Sequence, residues 1–225
     1  MIPMSGRGVG ERTGAVPDTA AGAAPAVVAA GVAVAVAAVL LAHVLGAGSL
    51  DPVALTVSDY VAVPGGGVLL GLAAAGLATA GAALVRAVPG RGWPRAVAVL
   101  LSAWCVALVL VAVFPTNAPG SAPDLAAAVH RWAGAGVFAL PPVAGLLVLR
   151  RTGAPVTAWA PTVAAGAGAL VFLLCHAPAV LSGAPPFPLL GVVERVAHLL
   201  LCGQVLALGR RAGSPATPRV AAVSR

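Results

Sequence analysis

Long apolar runs alternate with short polar breaks along almost the whole chain. Six of the runs reach the roughly 20 residues that a helix needs to cross a hydrocarbon core. They lie at about 26–46, 66–86, 95–114, 126–149, 156–177 and 189–209. Each run is continuously apolar, unlike the ~10-residue alternating strands of a membrane barrel. The pattern therefore predicts an all-α, polytopic membrane bundle of six transmembrane helices within one domain, 25–209. Residues 1–24 are rich in Gly, Ala and Pro with mixed charge and read as a disordered tail. Residues 210–225 read as a basic tail. The first run is longer than the apolar core of a signal peptide, about 7–15 residues, and is read as a retained helix.

Composition narrows the solvent. The chain is 60% hydrophobic and 8% charged, with a mean hydropathy of +1.02. Soluble domains carry about 25% charged residues, so the surroundings are expected to be lipid. The net charge of +7 raises a nucleic-acid partner, but the placement of the arginines argues against one. Every basic side chain is Arg, as expected of a GC-rich bacterial genome. Eleven of the thirteen fall in the N-terminal tail, the second-to-third connection, the fourth-to-fifth connection and the C-terminal tail. The other three connections, 47–65, 115–125 and 178–188, hold none. Positive flanks stay on the cytoplasmic side, so both termini are expected to be cytoplasmic in a bacterial plasma membrane. Cys105, Cys175 and Cys202 lie inside apolar runs without disulfide or metal spacing. Nothing in the sequence marks an oligomeric state.

The two remaining arginines change the picture. Arg131 and Arg195 fall just inside spans four and six at their outer ends, and Glu194 adjoins Arg195. A charge at the centre of a membrane helix costs about 2.5–3.5 kcal/mol on insertion scales, so such groups are expected to be paired or to face a wet cavity. The simplest pairing is Glu194 with Arg131, or Arg195 with Asp124, across helices. "GVVERVAHLLLCGQ" sets Glu194 and His198 four apart on one helical face, continued by Cys202. His198 is ~13 Å into span six at 1.5 Å per residue. His130 and His176 lie nearer the outer ends of spans four and five, and His43 reads as an interfacial residue at the end of span one. An outward-facing polar pocket between spans four, five and six is the consequence. Pro141-Pro142 should kink span four beneath it.

The outer connections carry their own signals. "PTNAPG" is turn chemistry, with Gly120 permitting a tight bend. Asp124 or Ser121 can cap the helix that follows. "TVSDYVAV" can form a short segment lying over the pocket as a lid, with Tyr60 at headgroup level. Gly67-x-x-x-Gly71 has the spacing of a close helix contact.

The best-supported function is binding of a lipid or small amphiphile, or assistance to an envelope process, with Arg131 and Arg195 suited to an anionic headgroup. One alternative is a metal-dependent intramembrane hydrolase or transferase. It would place zinc on His130, His176, His198 and Glu194, with Glu194 or Asp59 as base, although no HExxH motif occurs. A single haem b between His130 and His176 or His198, and a transporter, are weaker readings. No cofactor is expected.

"LTVSDYVAVPGG", "FPTN", "AAVHRWAG" and "GVVERVAHLLL" together resemble, in order, the signatures of a membrane family known as domain of unknown function 998. The likeness spans about 30–210 and rests on the ordered set. It implies six helices, a Ser-Asp/Glu segment after the first and a Phe-Pro-Thr-Asp segment after the third. Here Asn117 stands at the last position, so that carboxylate is missing. The resemblance marks Ser58, Asp59, Thr116, Asn117, His130, Arg131, Glu194 and Arg195. His176 and His198 complete the candidate set from their depth and spacing.

Overall fold

A computed structural model describes residues 19–117, 121–122 and 124–214. The sequence expectations for the tails fall mostly on residues outside these. Six long helices account for nearly all of the described chain: α1 (Thr19–Leu45), α2 (Gly66–Arg91), α3 (Arg95–Val113), α4 (Leu125–Thr152), α5 (Ala160–Ser182) and α6 (Leu190–Gly213). Each is long and apolar enough to cross a membrane. Two short 3-10 segments, Val57–Ala62 and Val156–Trp159, complete the order, and no strand occurs among the described residues. The predicted spans are all present. α2 runs five residues past its predicted end and includes Pro89. The start predicted for span five is the second 3-10 segment.

Successive helices pack as antiparallel neighbours, and α6 closes the ring against α1 while also touching α2 and α4. One end of the bundle carries Arg86, Arg91, Arg95, Arg150, Arg151, Arg210 and Arg211. The opposite, arginine-poor end carries the connections 46–65 and 183–189 and the described residues 114–117, 121–122 and 124 between α3 and α4.

Side-chain size explains the packing. The interior seam between α1 and α2 is built of Ala35, Ala38, Ala73, Ala74, Ala80 and Ala83, all buried. Bulky apolar side chains point the other way: Val44, Val68 and Val99 are 70%, 77% and 67% exposed. Small residues inside let backbones approach, and large ones outside contact lipid tails. The closest approach is at Gly31 and Gly76. A Cβ on Gly31 would run into the Gly76 carbonyl, and one on Gly76 would lie 2.5 Å from the Gly31 carbonyl. Gly67 and Gly71, the pair with the expected spacing, make no such contact: Gly67 sees only Val61 at 3.8 Å and Gly71 faces open space. Spacing alone could not separate the two cases, because every helix here is rich in small residues.

The tightest core lies toward the arginine-rich end, where Val28, Leu84, Leu101, Trp104, Val148 and Val205 are fully buried. α4 runs through Pro141 and Pro142 as one helix. Pro141 has no N–H for the carbonyl of Val137, four residues earlier. The indole Nε1 of Trp104 on α3 donates to that carbonyl at 3.0 Å instead. Gln204 on α6, fully buried, donates from Nε2 to the Pro141 carbonyl at 2.7 Å. α3 thus answers a carbonyl that the proline pair leaves free, and α6 adds a side-chain bond one turn further on.

Candidate functional site

The connection between α1 and α2 forms a strap across the arginine-poor end. Its 3-10 segment starts with a capping box. The Thr56 N–H and hydroxyl both donate to Asp59 Oδ2, at 2.6 and 2.8 Å. The Ser58 hydroxyl pairs with Thr56 Oγ1 at 2.9 Å. Glu194 and Arg195 of α6 hold this strap. The buried Glu194 carboxylate accepts the Val57 N–H at 2.5 Å. Arg195 donates from Nη1 to the Leu55 and Gly191 carbonyls at 2.9 and 2.8 Å, from Nη2 to the Tyr60 hydroxyl at 3.4 Å, and from Nε to His43 Nε2 at 2.7 Å. His43 can accept there because its Nδ1–H donates to the Val39 carbonyl at 2.7 Å. The Val192 N–H adds a main-chain bond to the Val53 carbonyl at 3.2 Å. Gly191 makes this approach possible, since a Cβ there would lie 2.6 Å from the Pro52 carbonyl and closer still to that of Leu55.

Tyr60 is not on an exposed surface. It is 2% exposed, its ring 4.7 Å from that of His43 and under the Arg195 guanidinium, which lies 5.7 Å from its centroid. Nor do the expected ion pairs form. Glu194 does not meet Arg131, because its carboxylate turns to the Val57 amide. Arg195 does not meet Asp124, which caps α4 by accepting the Ala127 N–H at 2.8 Å. Two of the five partners of these α6 charges are backbone groups of the strap, at Val57 and Leu55, which no side-chain pattern announces. His43 and Tyr60 were the residues missed as parts of this cluster. Each could have been found as an ionisable or polar group at the same end and depth as Arg195.

Beneath the strap lies a cavity of about 980 Å³. All ten sequence candidates line it: Ser58, Asp59, Thr116, Asn117, His130, Arg131, His176, Glu194, Arg195 and His198. It is wider than the expected cleft between spans four, five and six, because α1, α2 and α3 also form its walls. Polar groups gather near the arginine-poor end. Arg131 donates to Asn117 Oδ1 at 3.2 Å, and His130 Nδ1–H to the Phe114 carbonyl at 2.8 Å. Arg131, Asp59 and His130 are close enough to His176 to act on it electrostatically. Deeper in, the walls become apolar, with Val36, Leu77, Leu108, Val137 and Cys202. Cys202 is ~12 Å below Glu194 along α6 at 1.5 Å per residue.

An aromatic ladder forms one wall. The His198 ring meets Phe138 edge-on at 4.6 Å, Phe138 meets Phe172 at 4.6 Å, and Phe172 stacks on His176 at 5.5 Å. Two phenyl rings therefore stand between His176 and His198. The four residues considered for zinc are not drawn together as one set. Among the described residues, no three of His, Cys, Asp or Glu come close enough to share a metal ion. His130, His176, His198 and Glu194 each turn to a separate neighbour.

A comparison with curated proteins and with solved structures gives no match. A family model does match, over residues 27–211, which takes in α2 to α5, most of α1 and α6, and every residue of the cavity wall. The ordered motifs of the strap, the α3–α4 connection and α6 thus agree with the match, and the chain belongs to the family described as protein of unknown function DUF998.

Proposed function

We propose that this DUF998 protein binds a lipid or small amphiphile in the cavity under the strap, from the outer leaflet of a bacterial plasma membrane. The carrying observation is the polarity gradient of one large cavity, with charged and hydrogen-bonding groups at its rim and an apolar depth within the bundle. A volume of about 980 Å³ is at the upper end of ligand sites. The orientation rests on the arginine partition: the end opposite the strap carries the positive flanks and is placed in the cytoplasm with both tails. Glu194 and Arg195 serve this reading as the fasteners of the cavity roof, while Asp59, His130, Arg131 and His176 face the ligand.

Gly71 and Gly134 line the cavity and have nothing within 4 Å of a built Cβ, so they supply the test. Gly71→Leu and Gly134→Leu are expected to fill the cavity and leave the fold intact. Lipids retained by the full chain in mild detergent are extracted and identified by mass spectrometry. Loss of a stoichiometric lipid from both variants, at unchanged melting temperature, is the expected result. Equal lipid retention by wild type and variants would overturn the proposal.

A further inference from the structure

We infer that the headgroup of the bound amphiphile carries a phosphate, and that Arg131 is the residue that grips it. This rests on the cavity reading above and specifies its ligand. The charges at the arginine-poor end differ in how they are answered. Arg195 is fully engaged within the protein, through Nε, Nη1 and Nη2. Asp124 caps α4, Asp59 answers Thr56, and Glu194 answers Val57. Arg131 differs. It lies about two turns into α4 on the cavity wall, and among the described residues its guanidinium meets one neutral acceptor, Asn117 Oδ1, and no carboxylate. A cation so placed lacks a counter-charge that a ligand can supply.

His176 on α5 gives a second, independent indication. It lines the same cavity within electrostatic reach of Arg131, and its Nδ1 is buried without a hydrogen-bond partner. A buried polar atom left unpaired is costly unless something completes it. A planar carboxylate would satisfy the guanidinium fork and leave His176 unanswered. A tetrahedral phosphate offers oxygens off that plane and can meet both. Asp59 faces the same space from the strap, which disfavours a doubly charged anion. The fit is a phosphodiester, with its single negative charge at Arg131 and its apolar tail running toward Leu77 and Cys202.

The test uses the full chain in a neutral detergent and isothermal titration with four probes: dihexanoyl phosphatidylglycerol, the matching diacylglycerol without phosphate, hexanoate and inorganic phosphate. The wild type is expected to bind the phospholipid more tightly than the other three. Arg131→Gln should weaken that binding by about tenfold to a hundredfold, and Arg131→Lys by less. His176→Phe, which keeps the stack on Phe172, should weaken it severalfold. All three variants should melt within a few degrees of wild type. If Arg131→Gln binds the phospholipid like wild type, while Gly134→Leu abolishes binding, the phosphate assignment falls and the cavity reading stands. Tightest binding of hexanoate would identify a carboxylate site and overturn the phosphate. Inorganic phosphate binding as tightly as the phospholipid would overturn the amphiphile. If no amphiphile binds, or Gly134→Leu changes nothing, both readings fall.

Discussion

Arg131 and Arg195 are the same residue type at the same end of the bundle, yet they do opposite work. Arg195 reaches four acceptors in different directions, which only a guanidinium fork can do. Arg195→Lys is therefore expected to lower stability by about 1–3 kcal/mol, read as a lower melting temperature in detergent. Arg131→Lys should leave the melting temperature unchanged. Trp104 gives a third residue-level case. Trp104→Phe keeps most of the ring but leaves the Val137 carbonyl without its donor beside Pro141, at an expected cost of about 1 kcal/mol. Hydrogen exchange around Val137 should quicken with it, and an unchanged exchange rate would dismiss the repair role. The sequence set Glu194, Arg195 and His198 together on span six, and all three line the cavity. It could not name their partners, because a backbone N–H at Val57 or a carbonyl at Leu55 looks like every other one in a string of letters.

At the scale of elements, the six helices were legible because each needs about 20 apolar residues and little else. Their contacts were not. Gly67 and Gly71 have a favourable spacing and face space, whereas Gly31 and Gly76 sit on different helices and make the crossing. Helix pairing depends on which face turns inward, and an Ala-rich helix presents nearly the same face all round. Gly76→Leu should therefore cost more stability than Gly71→Leu, measured by the same melt. The strap is the other element whose seat was hidden. Its position over the pocket was expected from its length, but its attachment depends on Gly191 having no side chain. Gly191→Ala is expected to lift it, so that amides of residues 53–57 exchange faster while those of α3 keep their rates. Uniform exchange across both would show that the strap needs no such clearance.

At the scale of the whole molecule, the arginine partition, the gathering of polar groups and the cavity all refer to one axis. A chemical experiment can read that axis directly. With Cys105, Cys175 and Cys202 changed to Ala, Ser182→Cys places a thiol at the C-terminal end of α5 and Thr157→Cys one in the 3-10 segment before its start, both exposed. In intact cells a membrane-impermeant maleimide should label Ser182→Cys and spare Thr157→Cys. The reverse labelling would put the cavity in the cytoplasmic half and remove the outer leaflet as its source of ligand.

Glu194 and Arg195 grasp the strap mainly through its main chain, at the Val57 amide and the Leu55 carbonyl. The grip therefore does not depend on which side chains residues 57, 58 and 61 carry, although all three face the cavity. Attachment and selectivity are written in different parts of the same short segment. The roof is in effect an interchangeable faceplate: a new set of side chains there can retune what the chamber admits while the fastening stays as it is.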